Sequence, residues 1–315
     1  MIKTSLTAAA LSILAVPALA QEVTFGKGEL GYGNITNGDE EISALSFSGE
    51  IEYSYSQFLF GVHVDSTTSD FAGDDVTIRS YGASAAYAPI TGVLVGAGLT
   101  GFSFSDDFDS ESYDGYELFG QYTNGQYSLA ASYAVPVSDE DDFDITTFFA
   151  EAAFTPEASA GIIVEQNSNF DETIFYVSGD YDAGQFSGEV YYLGISDVDG
   201  SMIGANGAYE VSPVMSIGGT LQSDDLLFGG GDSITYIGLD GSYMITDGVT
   251  IDAYIGQISG DGAPEDVTSF GLSLTYMIGE QTRVDRRMAA AARDNVERGF
   301  GGVLPSLGFS ILPID

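Results

Sequence analysis

Carboxylates dominate the residues that could do chemistry in this 315-residue chain. The sequence holds 47 Asp and Glu against 8 Lys and Arg, with one histidine and no cysteine. That histidine, His63, can form neither a transition-metal cluster nor a convincing catalytic triad. The stretch "GDSI" at 231–234 resembles an esterase nucleophile block, but it lies among common turn residues and no second histidine exists to serve it. The sequence therefore predicts no catalytic residues, no enzyme activity and no cofactor.

Ten carboxylates stand at alternate positions of predicted strands, opposite an apolar phase. They are Glu50, Glu52, Glu117, Glu151, Glu165, Glu172, Asp180, Glu189, Asp240 and Asp252. If these positions line a water-filled passage, their summed field attracts cations and repels anions. Lys27 is the one clear base in the same phase, and His63 falls in it near the predicted outer rim. The sequence thus favours a cation-preferring interior, with solvated side chains of no tuned role as the open alternative.

A second set of acids lies in predicted loops and could bind Ca²⁺ through clustered oxygens. The candidates are Asp106, Asp107, Asp109, Asp139 and Asp141. None of these loops fits the twelve-residue EF-hand pattern. We therefore favour the simpler interpretation that they are solvated surface loops.

The elements that must position these residues are strands, because apolar and polar residues alternate along most of the chain. Tight turns such as "YTNGQY" alternate with longer loops rich in Gly, Asp and Ser, which predicts up-and-down hairpins. We predict sixteen strands, at 23–34, 42–55, 57–65, 75–87, 92–104, 113–122, 126–136, 143–154, 159–167, 172–181, 185–195, 202–210, 214–222, 233–243, 248–257 and 267–278.

The predicted strands suit a membrane better than a soluble sandwich. Many run ten to thirteen residues, about the length that a tilted strand needs to cross a bilayer. One phase is apolar, as at Leu45, Phe47 and Ile51, and the other is small or polar. A Tyr or Phe in the apolar phase flanks nearly every tight turn, which predicts an aromatic girdle at the membrane boundary. The girdle comprises Tyr55, Phe58, Tyr87, Tyr122, Tyr127, Phe154, Tyr181, Phe186, Tyr209, Tyr243 and Tyr276.

Three parts of the chain follow from these patterns. Residues 1–20, "MIKTSLTAAALSILAVPALA", read as a secretory signal peptide rather than an anchor, because the apolar core is shorter than a span. Residues 21–278 hold 42 acidic and two basic residues, a net charge of −40, which disfavours nucleic acid as a partner. A sheet in a bilayer must close, and sixteen strands leave an aqueous channel. We therefore predict an all-β, antiparallel transmembrane β-barrel over 21–278 and an extension over 279–315.

The extension is predicted to be partly helical and periplasmic. Thr282 can cap a helix, and Gly299 can end it. At about 100° per residue, five arginines fall on one side: Arg283, Arg286, Arg287, Arg293 and Arg298. Val284, Met288, Ala292 and Val296 lie on the other. We interpret the arginine face as a partial plug that docks in or under the mouth of the acidic barrel, with a frayed periplasmic tail as the equal alternative.

Hairpin layout, aromatic girdle and the last strand together resemble the sixteen-stranded general porins of Gram-negative bacteria, especially alphaproteobacteria. "SFGLSLTY", 269–276, is similar to the assembly signal of outer-membrane barrels. The resemblance implies an outer-membrane channel for passive diffusion of small hydrophilic solutes, surrounded by lipid, and a homotrimer. The chain departs from the family in two ways. Its loop at 105–114 is too short to constrict the pore as the family's does, and 37 residues follow the last strand. A non-conducting structural or adhesive barrel is the alternative.

Overall fold

A computed structural model describes residues 23–37, 40–71, 74–106, 110–137, 144–168, 172–196, 200–226, 233–260 and 267–298. The predicted signal peptide at 1–20 and residues 299–315 lie outside this part of the chain. Among the described residues, no helix combines the length and apolarity needed to cross a membrane.

Sixteen antiparallel strands form one closed barrel, as the alternation predicts. The strands are β1 (Val23–Asn37), β2 (Glu40–Tyr55), β3 (Phe58–Phe71), β4 (Asp74–Ile90), β5 (Val93–Ser105), β6 (Ser110–Thr123), β7 (Tyr127–Pro136), β8 (Ile145–Thr155), β9 (Ala158–Asn167), β10 (Glu172–Ala183), β11 (Phe186–Ile195), β12 (Ser201–Ser212), β13 (Met215–Asp224), β14 (Ile234–Thr246), β15 (Val249–Gly260) and β16 (Val267–Gly279). Each strand pairs with its sequence neighbours, and β1 pairs with β16 to close the sheet. Helix α1 (Val284–Arg298) follows β16.

Several strands extend further on the long-loop side than the sequence predicts. The predicted loop after residue 65 is largely strand, and the β3–β4 ladder continues to the pair Phe71↔Asp74. Both faces of this outer part carry Ser, Thr and Asp, so the apolar alternation that marks a membrane strand is missing there. The apolar alternation therefore predicts only the part of each strand that faces lipid, and it does not predict the part that projects into water.

The outer face of the barrel is apolar and exposed, as a lipid-facing surface requires. Leu45, Leu99, Leu129 and Leu272 on four separate strands are each between 46% and 56% exposed. With a bilayer against this face, the closed ladder leaves no sheet edge without hydrogen-bond partners. The outcome confirms the predicted transmembrane barrel.

The inner face is less uniformly polar than the sequence suggests. Ile163, Met202, Ile234 and Tyr236 point inward and are almost fully buried, together with apolar residues of α1. Their burial requires neighbours inside the barrel, because a wide aqueous lumen would leave them exposed. The interior is therefore partly a packed core, and α1 belongs to it.

Candidate functional site

Helix α1 lies inside the barrel. Residues at its start contact β2 and β6, and Asn295 near its end contacts β10, β11 and β12. An element that touches strands on such separate parts of a closed wall must cross the interior. Gly279 permits the entry, because its φ of 69° lies in the left-handed region and a Cβ there would stand 1.9 Å from the carbonyl oxygen of Thr24.

The barrel wall caps the start of α1. The carboxylate of Glu52 accepts the N–H of Thr282 at 2.7 Å and the N–H of Arg283 at 3.3 Å. Gln121 accepts the N–H of Val284 at 3.0 Å and donates to the carbonyl of Thr282 at 2.9 Å. These contacts supply partners for amides that a helix start leaves without intrahelical acceptors. The prediction placed the cap on Thr282, but the helix begins at Val284 and its caps come from β2 and β6.

Arg283 is the most tightly held charge of the interior. Its guanidinium is 3.0 Å from Glu117, bonds Asp285, and lies 3.5 Å from the centroid of the Phe119 ring. The side chain is 3% exposed. Burial opposes the charge, but Asp285 and Glu117 outweigh it and raise the pKa of Arg283 above its usual range. The guanidinium therefore remains charged and paired.

The other arginines of α1 differ in their partners. Arg287 pairs with Glu151 at the exposed side of the helix, and Arg293 is 3.6 Å from Asp65. Arg286 lines a cavity together with Glu50 and His63 and has no ion-pair partner among the described residues. Arg298 ends the helix, and its side chain lies outside the described part. The four arginines with described side chains thus have several separate environments rather than one shared docking face.

The apolar side of α1 packs on the inner wall. Val284, Met288 and Ala292 are buried in one cluster with Phe149 and Ile163. Gly161 on β9 allows this approach, because a Cβ there would be 3.0 Å from the Met288 methyl carbon. The side chain of Val296, the fourth member of the predicted apolar side, lies outside the description.

Asn295 joins the end of α1 to three strands, a role that no local sequence pattern indicates. Its amide donates to the Tyr176 hydroxyl and to Glu189, each at 2.7 Å, and accepts from Asn206 at 2.8 Å. The Tyr191 hydroxyl donates to its backbone carbonyl at 3.1 Å. Such a buried network fixes one position of the helix, because each displaced member would lose a partner.

Replacing Asn295 by alanine should lower the free energy of unfolding by about 1–3 kcal/mol, since it leaves buried polar groups without partners. Thermal or denaturant unfolding of the purified barrel in detergent measures this. Asp294→Ala is the matched control, because Asp294 is the exposed neighbour on the same helix. Equal losses in the two variants would contradict the assigned network.

Nine of the ten predicted carboxylates have described side chains, and all nine lie on the interior side of their strands. Glu50, Glu52, Glu117, Glu151 and Glu189 contact α1 or the residues leading into it. Glu165 accepts from Thr147 at 3.2 Å, and Asp180 accepts from Ser159 at 3.4 Å. Asp240 and Asp252 face a separate cavity. Glu172 begins β10, and its side chain lies outside the described part.

That cavity has a volume of about 410 Å³ and lies between α1 and strands β13–β16 and β1–β3. Its charged lining consists of Lys27, Glu29, Asp240, Asp252 and Asp294. Lys27 is 2.9 Å from Glu29. The cavity is therefore polar and net negative, on the side of the interior away from Arg283 and Arg287.

Sequence reasoning missed Glu29 and Asp65 among the interior acids. Both could have been found by parity, since Glu29 is two positions from Lys27 and Asp65 two from His63. His63 lies nearer the middle of the barrel wall than the outer rim where the sequence predicts it. It pairs with Glu50 and Gly82 near the middle of β3, because that strand continues to Phe71.

The predicted girdle residues lie on the outer face beside the tight turns. All except Tyr276 are at least 37% exposed. Neighbouring strands bring rings together, with centroids 5.4 Å apart for Phe58 and Tyr87 and 4.8 Å for Phe186 and Tyr209. Their role at a membrane boundary stays a prediction.

Most of the candidate calcium ligands lie outside the described residues. Asp107, Asp109, Asp139 and Asp141 lie outside the described residues, and Asp106 lies inside them. Within the described ranges, no group of three or more His, Asp or Glu is placed to hold a metal ion. Two residues of the "GDSI" stretch, 231 and 232, also lie outside.

Solved structures share this architecture. The crystal structure of Pseudomonas aeruginosa OpdQ matches with a TM-score of 0.56 and 11% identity, over 82% of this chain and 98% of that one. The crystal structure of P. aeruginosa OccK8 (OprE) matches with a TM-score of 0.54 and 10% identity, over 82% of this chain and 98% of that one. A triple mutant of Rhodopseudomonas blastica porin matches with a TM-score of 0.52 and 12% identity, over 81% of this chain and 100% of that one.

Comparison by sequence adds nothing to this, since no family model and no curated protein matches the chain. At 10–12% identity, the structural likeness shows the fold alone. The predicted resemblance to porins is confirmed at that level.

Proposed function

We propose that this chain is an outer-membrane channel through which small hydrophilic solutes diffuse passively, with a preference for cations. The observation that carries the proposal is the polar cavity of about 410 Å³ inside a closed sixteen-stranded transmembrane barrel. A barrel of this strand number encloses more space than its own side chains fill. The shared fold with a solved porin supports the same function.

The cation preference follows from how α1 distributes the interior charge. Its arginines pair with Glu117, Glu151 and Asp65 on one side of the lumen. The cavity on the other side retains four acids and one base. A net negative lining raises the local concentration of cations and repels anions.

Passage itself is tested by flux from liposomes that contain the purified protein. Small neutral sugars and amino acids should leave the vesicles, and fluorescent dextrans should remain, because α1 narrows the lumen. Empty liposomes provide the baseline. Retention of every small solute by vesicles with correctly folded barrels would overturn the proposed channel.

Replacing Asp240 and Asp252 together by asparagine should lower the cation-to-anion permeability ratio by about threefold, because two charges leave the cavity lining. Bi-ionic or gradient reversal potentials in planar bilayers measure the ratio. The double variant Glu157→Gln with Asp247→Asn is the matched control, since it removes two exposed charges from tight turns. The same drop in both variants would place the selectivity elsewhere.

A non-conducting structural barrel is the second candidate, and one observation favours it. The interior cluster of Ile163, Met202, Ile234 and Tyr236 with α1 is packed rather than open. The liposome assay separates the two functions, because a structural barrel releases no solute.

Further parts of the proposal concern location and assembly. Residues 1–20 would direct export and be removed, lipid would cover the apolar outer face, and three copies would associate. Chemical cross-linking in native membranes tests the trimer, and the N-terminal residue of the mature protein tests the cleavage.

A further inference from the structure

A second and smaller cavity lies between α1 and the inner wall formed by β1–β8. Sheet register places one interior row across that wall, in the order Lys27, Glu50, His63, Gly82 and Thr100. The row therefore presents a base, an acid and an imidazole, followed by a glycine and a threonine. Lys27, Glu50, His63 and Thr100 of this row form the floor of a cavity of about 130 Å³.

Gly82, the neighbour of His63 on β4, leaves the space that the imidazole occupies. A Cβ at position 82 would stand 2.2 Å from the imidazole Cε1, so only glycine leaves room for the ring. The side chain is 93% buried, with 7% exposed, and within the described part of the chain Nε2 has no hydrogen-bond partner. A buried polar nitrogen without a partner is costly, which points to a ligand or water that completes it.

The opposite side of the cavity is the face of α1 that carries Arg286, Ala289, Ala290 and Arg293. The two alanines leave space where longer side chains would fill it. Arg293 is near Asp65, whereas Arg286 has no ion-pair partner among the described residues. Arg286, Glu50 and His63 all line this cavity, so the three groups surround a common space.

Apart from Arg286 and Glu50, each charged residue described in the lining of this cavity belongs to an ion pair, and Lys27 is 2.9 Å from Glu29. Arg283 engages Glu117 and Asp285, and Arg293 offsets Asp65. What remains is one guanidinium, Arg286, and one carboxylate, Glu50, which both line the cavity beyond ion-pair distance of each other. A lone anion would be repelled by Glu50, and a lone cation by Arg286. A ligand that carries both charges would satisfy both groups.

We propose that this cavity binds a small zwitterion, an α-amino acid with a short side chain. The carboxylate of the ligand bonds Arg286 and the Nε2 of His63, and its ammonium faces Glu50. A planar guanidinium matches a carboxylate with two parallel hydrogen bonds. The inference goes beyond the proposed channel, because binding requires only that the cavity be reached from solution.

The size of the cavity limits the ligand. An ordered water needs roughly 10–15 Å³ of cavity volume. The cavity of about 130 Å³ therefore has room for about ten waters, or for a solute with about ten non-hydrogen atoms. Alanine and serine fit within this limit, and larger amino acids approach it.

The test is isothermal titration calorimetry of the purified full-length protein in detergent with L-alanine. Saturable binding with a Kd of about 1 mM is expected for so few contacts. Arg286→Gln should weaken it about tenfold or more. Arg287→Gln, which removes the same charge from the exposed side of α1, should leave the Kd unchanged.

Two further probes test each charge without altering the protein. L-alanine methyl ester lacks the carboxylate charge and acetate lacks the ammonium, and each should bind about tenfold more weakly than alanine, or ~1.4 kcal/mol. No saturable binding of alanine, equal binding by Arg286→Gln, or equal affinity for acetate would each overturn the proposal. None of these results depends on conduction, so failure here is distinct from failure of the proposed channel.

Discussion

Removal of residues 280–315 should raise the single-channel conductance of the barrel about two- to threefold. An α-helix with its side chains is about 10–12 Å across, and α1 crosses the interior from β2 and β6 to β10–β12. Without it, water fills the space between these strands, and the open cross-section increases. Recordings in planar bilayers at the same salt concentration compare the truncated and full-length chains.

A second variant guards against a truncation that assembles poorly. Met288→Asp places a charge against Gly161 and the apolar wall, where the native methyl carbon packs. It should release α1 while leaving every strand intact and produce the same wide conductance. Unchanged conductance in both variants, with folded barrels, would show that α1 does not narrow the passage.

Replacing Arg283 by alanine should lower the free energy of unfolding by about 3–5 kcal/mol, because it leaves the buried Asp285 and the partly buried Glu117 without their cation. Glu117 and Asp285 both depend on this guanidinium, and the contact with the Phe119 ring is lost as well. Thermal unfolding in detergent, followed by circular dichroism, measures the loss. We also expect α1 to leave its position, with a rise in conductance.

Arg287→Ala is the control for that experiment. Its ion pair with Glu151 is substantially exposed, with 49% of the Arg287 side chain accessible. Exposed pairs contribute about 0–1 kcal/mol, so this variant should resemble the native protein. Equal destabilisation by the two substitutions would contradict the special role assigned to Arg283.

The fold could be predicted because a bilayer imposes its demands on every strand. Lipid requires an apolar phase, closure requires an antiparallel ladder, and water inside requires a polar phase. Leu45 and Glu50 illustrate these requirements, since alternation along β2 places Leu45 on the outer face and Glu50 on the inner face. The outer ends of β3 and β4 were missed because they meet water on both faces.

The arrangement of the interior could be predicted only in part, because it rests on contacts between distant residues. The arginines and acids indicated attraction between α1 and the wall, which the ion pairs of Arg283 and Arg287 now describe. Sequence spacing could not show that Glu52 caps the helix 230 positions later, nor that Asn295 meets Tyr176. These pairings depend on barrel diameter and helix direction, which no local pattern encodes.

One measurement tests most directly whether the interior forms the open, cation-preferring passage that we propose. The reversal potential of the full-length protein is recorded in a planar bilayer across a KCl gradient. We expect a steady current whose reversal potential has the sign of K⁺ preference. Absence of current through a folded, inserted barrel, or a reversal potential of the sign of Cl⁻ preference, would contradict it.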